Sequence, residues 1–567
     1  MQRQTGRVAI LAGASWLALA LQAGAADAEL VQADDPYFKQ ARAQMQQIMT
    51  QQRNTNRAKN VILVVGEGMG FSTVTATRIY EGQVRGADGE SNVLAWEAFP
   101  HLAASKTYSS DAQITDSAPS AVAMTAGVKT INDVMGIDHT SILDDCDSQK
   151  TKAVTTLWEM AETIGMSTGA VTTARLTHAT PGATYSHIAN RDWEADSDMP
   201  PEALAAGCKD IAAQLVEMEY GDGFEVAMGG GRSNFLPETV ADPEDEGETG
   251  ERKDGRDLTQ EWLARYPNGG AYIWNQEQFD AIGPGSTDHL LALFERSHME
   301  YEHDRPTDTA GEPSLAQMAE KAIDILSQNP EGFLLLLEGG RIDHGSHDGN
   351  AFRTVTDGVA LNEAVKAVLR KVDLDETLIV VTGDHSHTLT IAGYAKRGNP
   401  ILGISIGVDG EPMLGDDGKP YTTIGFANGP GGVQPPEPEA EPVPVSSTTT
   451  GSADAPGDMP APETAGEPVL EGGSEPSTTS ASADGPGGVK APEGRATLTM
   501  EEATAPDFLQ QSLVLMPSET HGGEDLGIYA IGPWSHLFQG TVEENYTFHV
   551  MDFASGISER LAAAPAD

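Results

Sequence analysis

Three short apolar runs stand out from the mixed pattern of hydrophobic and polar positions, at residues 61–65, 333–337 and 378–381. Each run is continuous rather than alternating, which is typical of strands buried on both faces of a parallel sheet. Amphipathic stretches at 314–327 and 355–371 indicate helices that cover such a sheet. The pattern therefore predicts an α/β fold, a three-layer sandwich whose mostly parallel central sheet is flanked by helices.

A polar cluster follows each of these runs. Glu67 comes after the first run, Glu338 after the second, and Asp384 with His385 after the third. In open α/β sheets, ligands bind at the carboxyl ends of the strands. We therefore expect these side chains to converge into a cup of carboxylates and imidazoles that would hold cations.

The chain is strongly acidic. Its 567 residues include 35 Lys and Arg against 85 Asp and Glu, for a net charge of −50. This charge argues against a nucleic-acid partner and against an anionic membrane surface, because phosphate groups are bound by an excess of Lys and Arg. It suits a protein that stays soluble in high salt, where ions screen self-repulsion. An anionic substrate would bind against this field, so a local cationic centre is needed, and metal ions are the obvious candidates.

The first 25 residues are expected to form a signal peptide. Two arginines give a charged start, residues 8–21 are apolar, and residues 23–25 are a small-residue cleavage site. A membrane anchor is the alternative, but the apolar run is too short to span a bilayer well. Residues 561–567 are too short and polar for a lipid-anchor signal, so we expect an exported protein without a membrane anchor.

Two further segments depart from the core pattern. Residues 41–57 are Gln-rich and predict a helix with few core positions, either an arm that packs on a partner subunit or a frayed terminus. Residues 429–495 are Pro, Glu, Ser, Thr and Gly with almost no large apolar residue, which predicts disorder. Gly-Pro-Gly-Gly-Val occurs at 429–433 and again at 485–489, as a duplicated surface loop would show. A folded pattern resumes near Leu513.

Candidate metal ligands occur after the second and third runs. Asp343 and His347 are four residues apart, so one helical turn would aim both at one metal ion. Asp384 and His385 offer an oxygen and a nitrogen at a strand tip, and His521 could complete another corner. Zinc takes His nitrogen and carboxylate oxygen in small coordination numbers, so two such sets suit two zinc ions. Any one of these histidines alone is more often a polar residue with an ordinary hydrogen-bond partner.

A nucleophile and a phosphate-binding group are also candidates. Asp116-Ser117 opens a run of small residues that predicts a helix, whose N-terminal N–H groups would favour an anion at Ser117. A serine next to a metal ion can act as an alkoxide nucleophile, whereas an ordinary N-cap pair is the alternative. Arg191 could clamp two phosphate oxygens, or it could be an ordinary surface arginine.

The chain has two cysteines, Cys146 and Cys208. An even count in an oxidising compartment suggests one disulfide, and two free buried thiols are the alternative. The two residues are too far apart for a short Cys-x-x-Cys zinc motif.

Together these motifs resemble the alkaline phosphatase family. The motifs that carry the resemblance are Asp116-Ser117-Ala118, Arg341 to His347, Asp384 to His387, and Thr520-His521. The resemblance runs from about Asp35 to near the C-terminus, interrupted by the acidic segment. It is strongest with the animal-type branch, which shares stretches such as Thr172 to Arg175 and Gly522 to Asp525.

The resemblance implies a zinc-dependent phosphomonoesterase that works through a phosphoserine at Ser117. The residues implied to hold the first zinc ion are Asp343, His347 and His521. Those implied for the second are Asp384 and His385, with Ser117 and Glu67. A magnesium ion would use Glu67, Thr180 and Glu338. Arg191 would clamp the phosphate, and the supporting residues would be His178, His344 and His387. A further calcium ion would use Glu244, Glu295, Glu312 and the carbonyl of Phe294. The cysteine spacing also resembles a disulfide of the animal branch.

Glu67 departs from the family pattern, in which an Asp stands between the two glycines. The extra methylene moves the carboxylate outward by roughly 1.5 Å, while metal–oxygen distances tolerate only about 0.2 Å. Magnesium demands octahedral geometry and zinc is more permissive, so the strain should fall on the magnesium site. We therefore expect an active enzyme with weak dependence on magnesium.

Three rival functions remain at this point. A sulfatase is suggested by Ser117-Ala118-Pro119, but Ala121 stands where the sulfatase motif requires Arg. A phosphodiesterase of the same superfamily is disfavoured by Arg191, which would occupy a phosphate oxygen that a diester esterifies. A catalytically impaired, metal-binding homologue is supported by Glu67.

The resemblance also suggests how the chain is organised. We expect a signal peptide (1–25), an N-terminal arm (26–57), the alkaline phosphatase core (58–394), a crown-like insertion (395–512) that contains the disordered acidic loop 429–495, and the end of the core (513–567). The resemblance and the Gln-rich arm favour a homodimer. The leader and the charge favour a periplasmic or secreted, salt-adapted (halophilic) bacterial protein.

Overall fold

The computed structural model describes residues 30–283, 285–433 and 494–563. The predicted signal peptide and most of the predicted disordered loop lie outside these residues. The loop prediction was too long at its ends, because Gly429 pairs with Leu515 in a sheet and Arg495 donates to Asp417 at 2.9 Å. Within the described ranges, no helix combines the length and the apolar character needed to cross a bilayer.

Most strands belong to one large sheet. The strands are β1 (Asn60–Gly66), β2 (His101–Lys106), β3 (Ser167–Arg175), β4 (Val226–Gly230), β5 (Gly270–Ile273), β6 (His289–Leu293), β7 (Phe333–Gly339), β8 (Thr377–Gly383), β9 (Ser386–His387), β10 (Leu389–Ile391), β11 (Ile424–Gly429), β12 (Ser512–Leu515), β13 (His521–Gly522), β14 (Leu526–Ile531) and β15 (Gly540–Glu543). Ten of them form a sheet in the order β15-β2-β14-β8-β1-β7-β3-β4-β6-β5. Only β14 runs antiparallel to its neighbours in this described sheet, so the prediction of a mostly parallel sheet is confirmed.

The three apolar runs of the sequence are β1, β7 and β8, which lie side by side at the centre of the sheet. In β1, Val61, Leu63 and Val65 join one hydrophobic cluster, while Ile62 and Val64 join another on the opposite face. Both faces are therefore buried, which explains why the runs are continuous rather than alternating.

Helices cover both faces of the sheet. The helices of the described chain are α1 (Pro36–Thr50), α2 (Phe71–Val84), α3 (Ser117–Ala126), α4 (Cys146–Thr151), α5 (Leu157–Thr163), α6 (Ala179–Gly182), α7 (Pro201–Ala206), α8 (Ile211–Val216), α9 (Leu258–Arg265), α10 (Gln276–Ala281), α11 (Leu315–Leu326), α12 (Arg341–His347), α13 (Ala351–Lys371), α14 (Met500–Ala503), α15 (Tyr546–Ser555) and α16 (Ile557–Ala563). Residues of α11 and α13 share one hydrophobic cluster with the sheet, and residues of α3, α5 and α15 share the other. The fold is the predicted three-layer sandwich.

Helix bounds followed the sequence signals where caps are strong. Ser314 accepts from the Gln317 amide in a capping box, and α11 fills the predicted stretch. Asp116 caps α3, and Gly127 ends it in the left-handed conformation (φ 74°). The prediction of a helix at 41–57 was shifted, because Asp35 caps α1 and Pro36 begins it. This helix lies in a separate N-terminal unit, residues 1–53, and none of its residues is buried.

Two small sheets complete the described chain. The strands β10, β11 and β12 form a three-stranded sheet, of which only β11 lies wholly within the region 395–512 expected to be the crown-like insertion. The strands β13 and β9 pair antiparallel, with His521 opposite His387. This last pairing brings the C-terminal histidine motif to the carboxyl end of β8.

Candidate active site

The carboxyl edge of the central strands gathers the predicted site residues. Glu67 follows β1, Glu338 is in β7, and Asp384 follows β8. The short helix α12 starts directly after β7 and carries Asp343 and His347 on one face, with His347 Nε2 3.4 Å from Asp343 Oδ2. The side chains converge as predicted because these strands run parallel and end at one edge.

His347 and His521 face each other in an arrangement that suits a cation. Nδ1 of His347 lies 2.6 Å from the Glu519 carbonyl oxygen, and Nδ1 of His521 lies 3.0 Å from the Thr115 carbonyl oxygen. A carbonyl oxygen can only accept, so each neutral ring keeps its proton on Nδ1 and a lone pair on Nε2. These two Nε2 atoms are 3.2 Å apart, and His521 Nε2 is 3.7 Å from Asp343 Oδ1. Two lone pairs and a carboxylate at these distances are suited to a metal ion. The groups of described residues that could hold one include Asp343 with His385 and His521, and Asp343 with His347 and His387.

Ser117 lies at the edge of a second group. It is the first residue of α3 and is buried, with its Oγ 3.0 Å from His385 Nε2 and 3.4 Å from Glu67 Oε1. His385 Nε2 is also 3.4 Å from Asp384 Oδ2. Asp384 in turn accepts the Gly68 amide at 2.9 Å through its other oxygen. The structure thus brings together the residues predicted for the second metal.

Arg191 is half-buried beside Ser117, the candidate nucleophile, rather than fully exposed on the surface. Its Nη1 is ion-paired to Asp116, the residue before Ser117, and its Nη2 is 3.0 Å from His178 Nε2. Burial opposes the charge, but Arg191 still holds the pKa of Asp116 below its usual value. A guanidinium held in this way is oriented toward the start of α3, where an anion would bind.

The side chain of Glu67 is one methylene longer than that of an Asp at this position. Its Oε1 is 3.4 Å from both Ser117 Oγ and His178 Nδ1. Its Oε2 extends over Gly340, where a Cβ atom would lie 3.2 Å away. The turn that follows requires Gly68, which has φ 67° and no room for a Cβ beside His387. The extra methylene of Glu67 is accommodated by this glycine-lined space.

Several buried polar atoms of the site have no hydrogen-bond partner. Among the described residues they include Glu67 Oε2, His178 Nδ1, Thr180 Oγ1, Glu338 Oε1 and Asp384 Oδ2. Burial and neighbouring carboxylates raise the pKa of Glu67 well above its usual value. Burial, partly offset by Thr172, raises the pKa of Glu338 to about 7, and burial likewise raises the pKa of Asp384 to about 7. Carboxylates in this condition fit bound cations.

The three supporting histidines lie close to these groups. His344 Nδ1 is 3.0 Å from a guanidinium nitrogen of Arg341, and its ring centroid is 5.6 Å from that of His178. His387 Nε2 is 2.7 Å from Asp343 Oδ1. Burial opposes protonation of His387, but Glu519 and Asp343 raise its pKa to about 10.

Sequence reasoning missed two residues near this site. Glu519 bonds His387 Nδ1 at 2.5 Å, and Thr172 donates to Glu338 Oε2 at 2.5 Å. The only available signal for Glu519 was its place next to the Thr520-His521 motif. Thr172 sits inside a buried strand, and its only signal was its place in the family-like stretch Thr172 to Arg175.

A peripheral group of carboxylates lies where calcium was expected, with one different member. Glu244, Glu295 and Asp308 have oxygens within 4.8 Å of one another. Asp308 was not predicted. Glu312 instead accepts the Glu300 amide through Oε1, and the Phe294 carbonyl accepts from Arg232 at 2.8 Å. Arg232 also lies 3.0 Å from Glu244 Oε2, so part of the negative charge there is already balanced.

The predicted disulfide is present. Cys146 and Cys208 are joined, with Cα atoms 6.0 Å apart, an ordinary separation for a disulfide. The bond links the first residue of α4 to the second residue after α7. The alternative of two free thiols was wrong.

Fold and site together define an α/β enzyme whose candidate nucleophile, arginine and metal-binding side chains meet at the carboxyl edge of a mostly parallel sheet. The profile of the family described as "Alkaline phosphatase" matches residues 58–557. The chain therefore belongs to the alkaline phosphatase family, as the motifs predicted. Enzymes of this family depend on metal ions, and the described residues include groups suited to hold them.

Curated relatives support the same assignment along almost the whole chain. The tissue-nonspecific alkaline phosphatase of Felis catus is 38% identical over 536 residues, covering 93% of this chain and 90% of the relative. The Homo sapiens form is 39% identical over 524 residues, covering 91% and 87%. The alkaline phosphatase of Gadus morhua is 37% identical over 511 residues, covering 89% and 93%. The general activity of this chain is hydrolysis of phosphomonoesters.

Solved structures confirm the fold. The alkaline phosphatase of Thermus thermophilus superposes with a TM-score of 0.56 at 19% identity, covering 91% of this chain and 98% of that one. The enzyme from the Antarctic bacterium TAB5 gives a TM-score of 0.53 at 20% identity, covering 88% and 99%.

Proposed function

We propose that this chain hydrolyses phosphomonoesters through a phosphoserine on Ser117 at a two-zinc site. The observation that carries the proposal is the pair of facing Nε2 lone pairs on His347 and His521, 3.2 Å apart, in the same pocket as Ser117. Two half-buried lone pairs that face each other at this distance are unfavourable without a cation between them. The family membership supports phosphate monoesters over sulfate esters or phosphodiesters.

The donor sets fit the metals expected for them. Asp343, His347 and His521 would hold the first zinc ion, and Asp384 and His385, with Ser117 and Glu67, would hold the second. The unpartnered oxygens of Glu67, Thr180 and Glu338 would hold a third ion, either magnesium or zinc. When bound, these ions would supply Lewis-acid stabilisation of the attacking and departing oxygens.

The protein groups would act as follows. Ser117 Oγ gives up its proton to solvent and attacks phosphorus in line, a Ser117 O–P bond forms, and the bond from phosphorus to the alcohol oxygen breaks. The alcohol leaves with a proton taken from solvent. A water molecule then attacks the phosphoserine, the Ser117 O–P bond breaks, and inorganic phosphate leaves.

Arg191 would hold two non-bridging phosphate oxygens during both steps. Its ion pair with Asp116 orients the guanidinium, and Asp116 also accepts the Ala118 amide at 3.3 Å, which fixes the start of α3. One residue thereby positions both the nucleophile and the phosphate clamp.

The peripheral carboxylates would hold a calcium ion. Glu244 and Glu295 keep their expected role, and Asp308 joins them, while Glu312 and the Phe294 carbonyl lie beside the cluster as further oxygen donors. Burial raises the pKa of Glu295 to about 8. Hard oxygen donors alone suit calcium.

The assembly and location are also proposals. Met45, Ile48 and Met49 are exposed on α1, which has no buried residue, so this helix would pack on a second copy in a homodimer. The acidic insertion would have no catalytic role. The leader and net charge fit export to the periplasm or outside the cell in a salt-adapted organism.

A substrate panel with metal control tests the function. The purified full-length protein is assayed on p-nitrophenyl phosphate, bis(p-nitrophenyl) phosphate and p-nitrophenyl sulfate. We expect a strong preference for the monoester, loss of activity with a zinc chelator, and recovery with added zinc. A preference for the diester or the sulfate contradicts the proposal, and so does full activity after verified removal of zinc.

A further inference from the structure

Glu519 engages the candidate metal pocket through both its side chain and its main chain. It lies before the Thr520-His521 motif and is 1% exposed. Nothing in its position in the sequence assigns it a task. It contacts His347 of α12, 172 residues earlier in the chain, and it reaches Asp343 of the same helix through His387.

The carboxylate acts through His387. Glu519 Oε2 is 2.5 Å from His387 Nδ1, and His387 Nε2 is 2.7 Å from Asp343 Oδ1. An imidazole between two carboxylates donates one N–H to each, so Glu519 fixes the ring that holds Asp343. The other oxygen, Oε1, accepts from the Thr388 amide at 2.6 Å and its hydroxyl at 2.5 Å. The side chain therefore cannot rotate without losing hydrogen bonds.

The main chain acts on His347. Glu519 N donates to the His347 carbonyl at 2.9 Å, and the Glu519 carbonyl accepts from His347 Nδ1 at 2.6 Å. This contact keeps the proton of His347 on Nδ1 and leaves Nε2 free to face His521. Partners of this kind set the tautomer and orientation of metal-binding imidazoles.

We propose that Glu519 is the positioning residue that holds both α12 donors of the first zinc pocket, Asp343 through His387 and His347 through its own carbonyl. The inference rests on the proposed function. The second pocket is held differently, because Asp384 is fixed by the Gly68 amide. Loss of the Glu519 carboxylate should therefore loosen one zinc ion and spare the other.

Zinc release from the full-length protein tests this inference. Glu519→Gln removes the charge at nearly constant size and leaves the main-chain contact in place. Release of zinc to a chromogenic chelator should be biphasic, with one equivalent leaving about 10- to 100-fold faster than in the unchanged protein and the other at the original rate. The visible spectrum of the cobalt-substituted protein should change for one of two ions. Unchanged release and an unchanged spectrum would overturn the inference.

Three companion variants separate positioning from packing. Thr388→Val removes only one donor to the same carboxylate and should release zinc within about twofold of the original rate. Glu519→Asp keeps the charge, but its carboxylate falls short of His387 by roughly one carbon–carbon bond, about 1.5 Å. It should also release one zinc ion faster, and it is the test if Glu519→Gln does not fold. In a His387→Gln background, the amide still donates to Asp343, so adding Glu519→Gln should change release by no more than about twofold. If the effects of Glu519→Gln and His387→Gln on zinc release are fully additive, Glu519 does not act through His387 and the inference is wrong.

The outcomes also separate this inference from the proposed function. An unchanged protein that binds no zinc contradicts the proposed function itself. An unchanged protein that binds two zinc ions, with Glu519→Gln identical to it in release and spectrum, contradicts only the role of Glu519.

Discussion

Two regions of this molecule gather carboxylates, and they do so in different ways. The central region mixes carboxylates with imidazoles at the ends of buried strands. There Asp343 is hydrogen-bonded by His387, which is itself hydrogen-bonded by Glu519. The peripheral region offers carboxylates alone, Glu244, Glu295 and Asp308, each partly exposed. In the central region Arg191 is paired with Asp116 and several buried carboxylate oxygens still have no partner, whereas Arg232 balances part of the peripheral charge.

The difference separates a site built for chemistry from a site built for stability. Imidazole nitrogens with fixed tautomers suit zinc, and a nucleophile stands beside them. Oxygen donors alone suit calcium. Activity should therefore depend on the central region, and stability in calcium on the peripheral one.

The largest effect is expected at Ser117. Ser117→Ala should lower kcat for p-nitrophenyl phosphate by about 10³-fold or more, because the covalent intermediate cannot form. Zinc content by mass spectrometry should stay near that of the unchanged protein. Ser120→Ala, three residues along the same helix, is the matched control and should stay within an order of magnitude. Near-normal turnover in Ser117→Ala would contradict the phosphoserine assignment.

The next effect concerns Glu67. Glu67→Asp should raise the affinity for magnesium by about 10-fold, because the shorter carboxylate no longer extends over Gly340 and can meet octahedral geometry. Magnesium titration followed by activity and by metal content measures this change. If affinity and rate both stay the same, the strain argument is wrong. If the unchanged protein is inert and Glu67→Asp is active, the impaired-homologue hypothesis is correct.

A smaller effect is the pH dependence of metal stabilisation. The folded pKa of Glu338 is raised from 4.5 to about 7, and that of Asp384 from 3.8 to about 7. Raised carboxyl pKa values contribute stability below the unfolded pKa and lose it as pH rises through the folded value. The Tm of chelated protein should therefore fall, relative to zinc-loaded protein, between about pH 4, near the unfolded pKa values, and about pH 7, the folded value. A constant Tm difference across this range would refute the explanation.

The smallest effect is expected in the peripheral region. Glu295→Gln should reduce the rise in Tm that calcium produces to about half or less, because one of the three clustered carboxylates is lost. The kcat measured with zinc present should remain unchanged. Glu248→Gln, which changes an exposed acidic residue four positions after Glu244, is the control. A large loss of kcat in Glu295→Gln would mean that the two regions are not separate.

Much of the fold was readable from the sequence for a simple physical reason. Strands buried on both faces must be continuously apolar, so β1, β7 and β8 were visible without any tertiary information. Caps such as Ser314 and Asp116 satisfy backbone groups locally, so α11 and α3 were predicted closely. Helix α1 was misplaced because its cap, Asp35, precedes a Pro-Tyr-Phe start that looks unlike the Gln-rich stretch behind it.

The candidate site was readable where its residues form short motifs. Asp343 and His347 share one turn of α12, and Asp384 and His385 are adjacent, so their spacing alone indicated a common target. The predicted helix start indicated Ser117, and the family resemblance then supplied more distant members such as Thr180 and His178. The cysteine pair left two alternatives open until the structure joined it.

Only the tertiary structure decided the residues that act across long separations. The sequence placed a carboxylate at Glu519, but its role depends on the pairing of β13 with β9, which brings it against His387 and His347. Asp308 likewise replaced Glu312 in the peripheral cluster because of how the loop before α11 folds. Neighbouring residues are enough to indicate a local site. A hydrogen bond between side chains hundreds of residues apart exists only once packing has fixed both backbones.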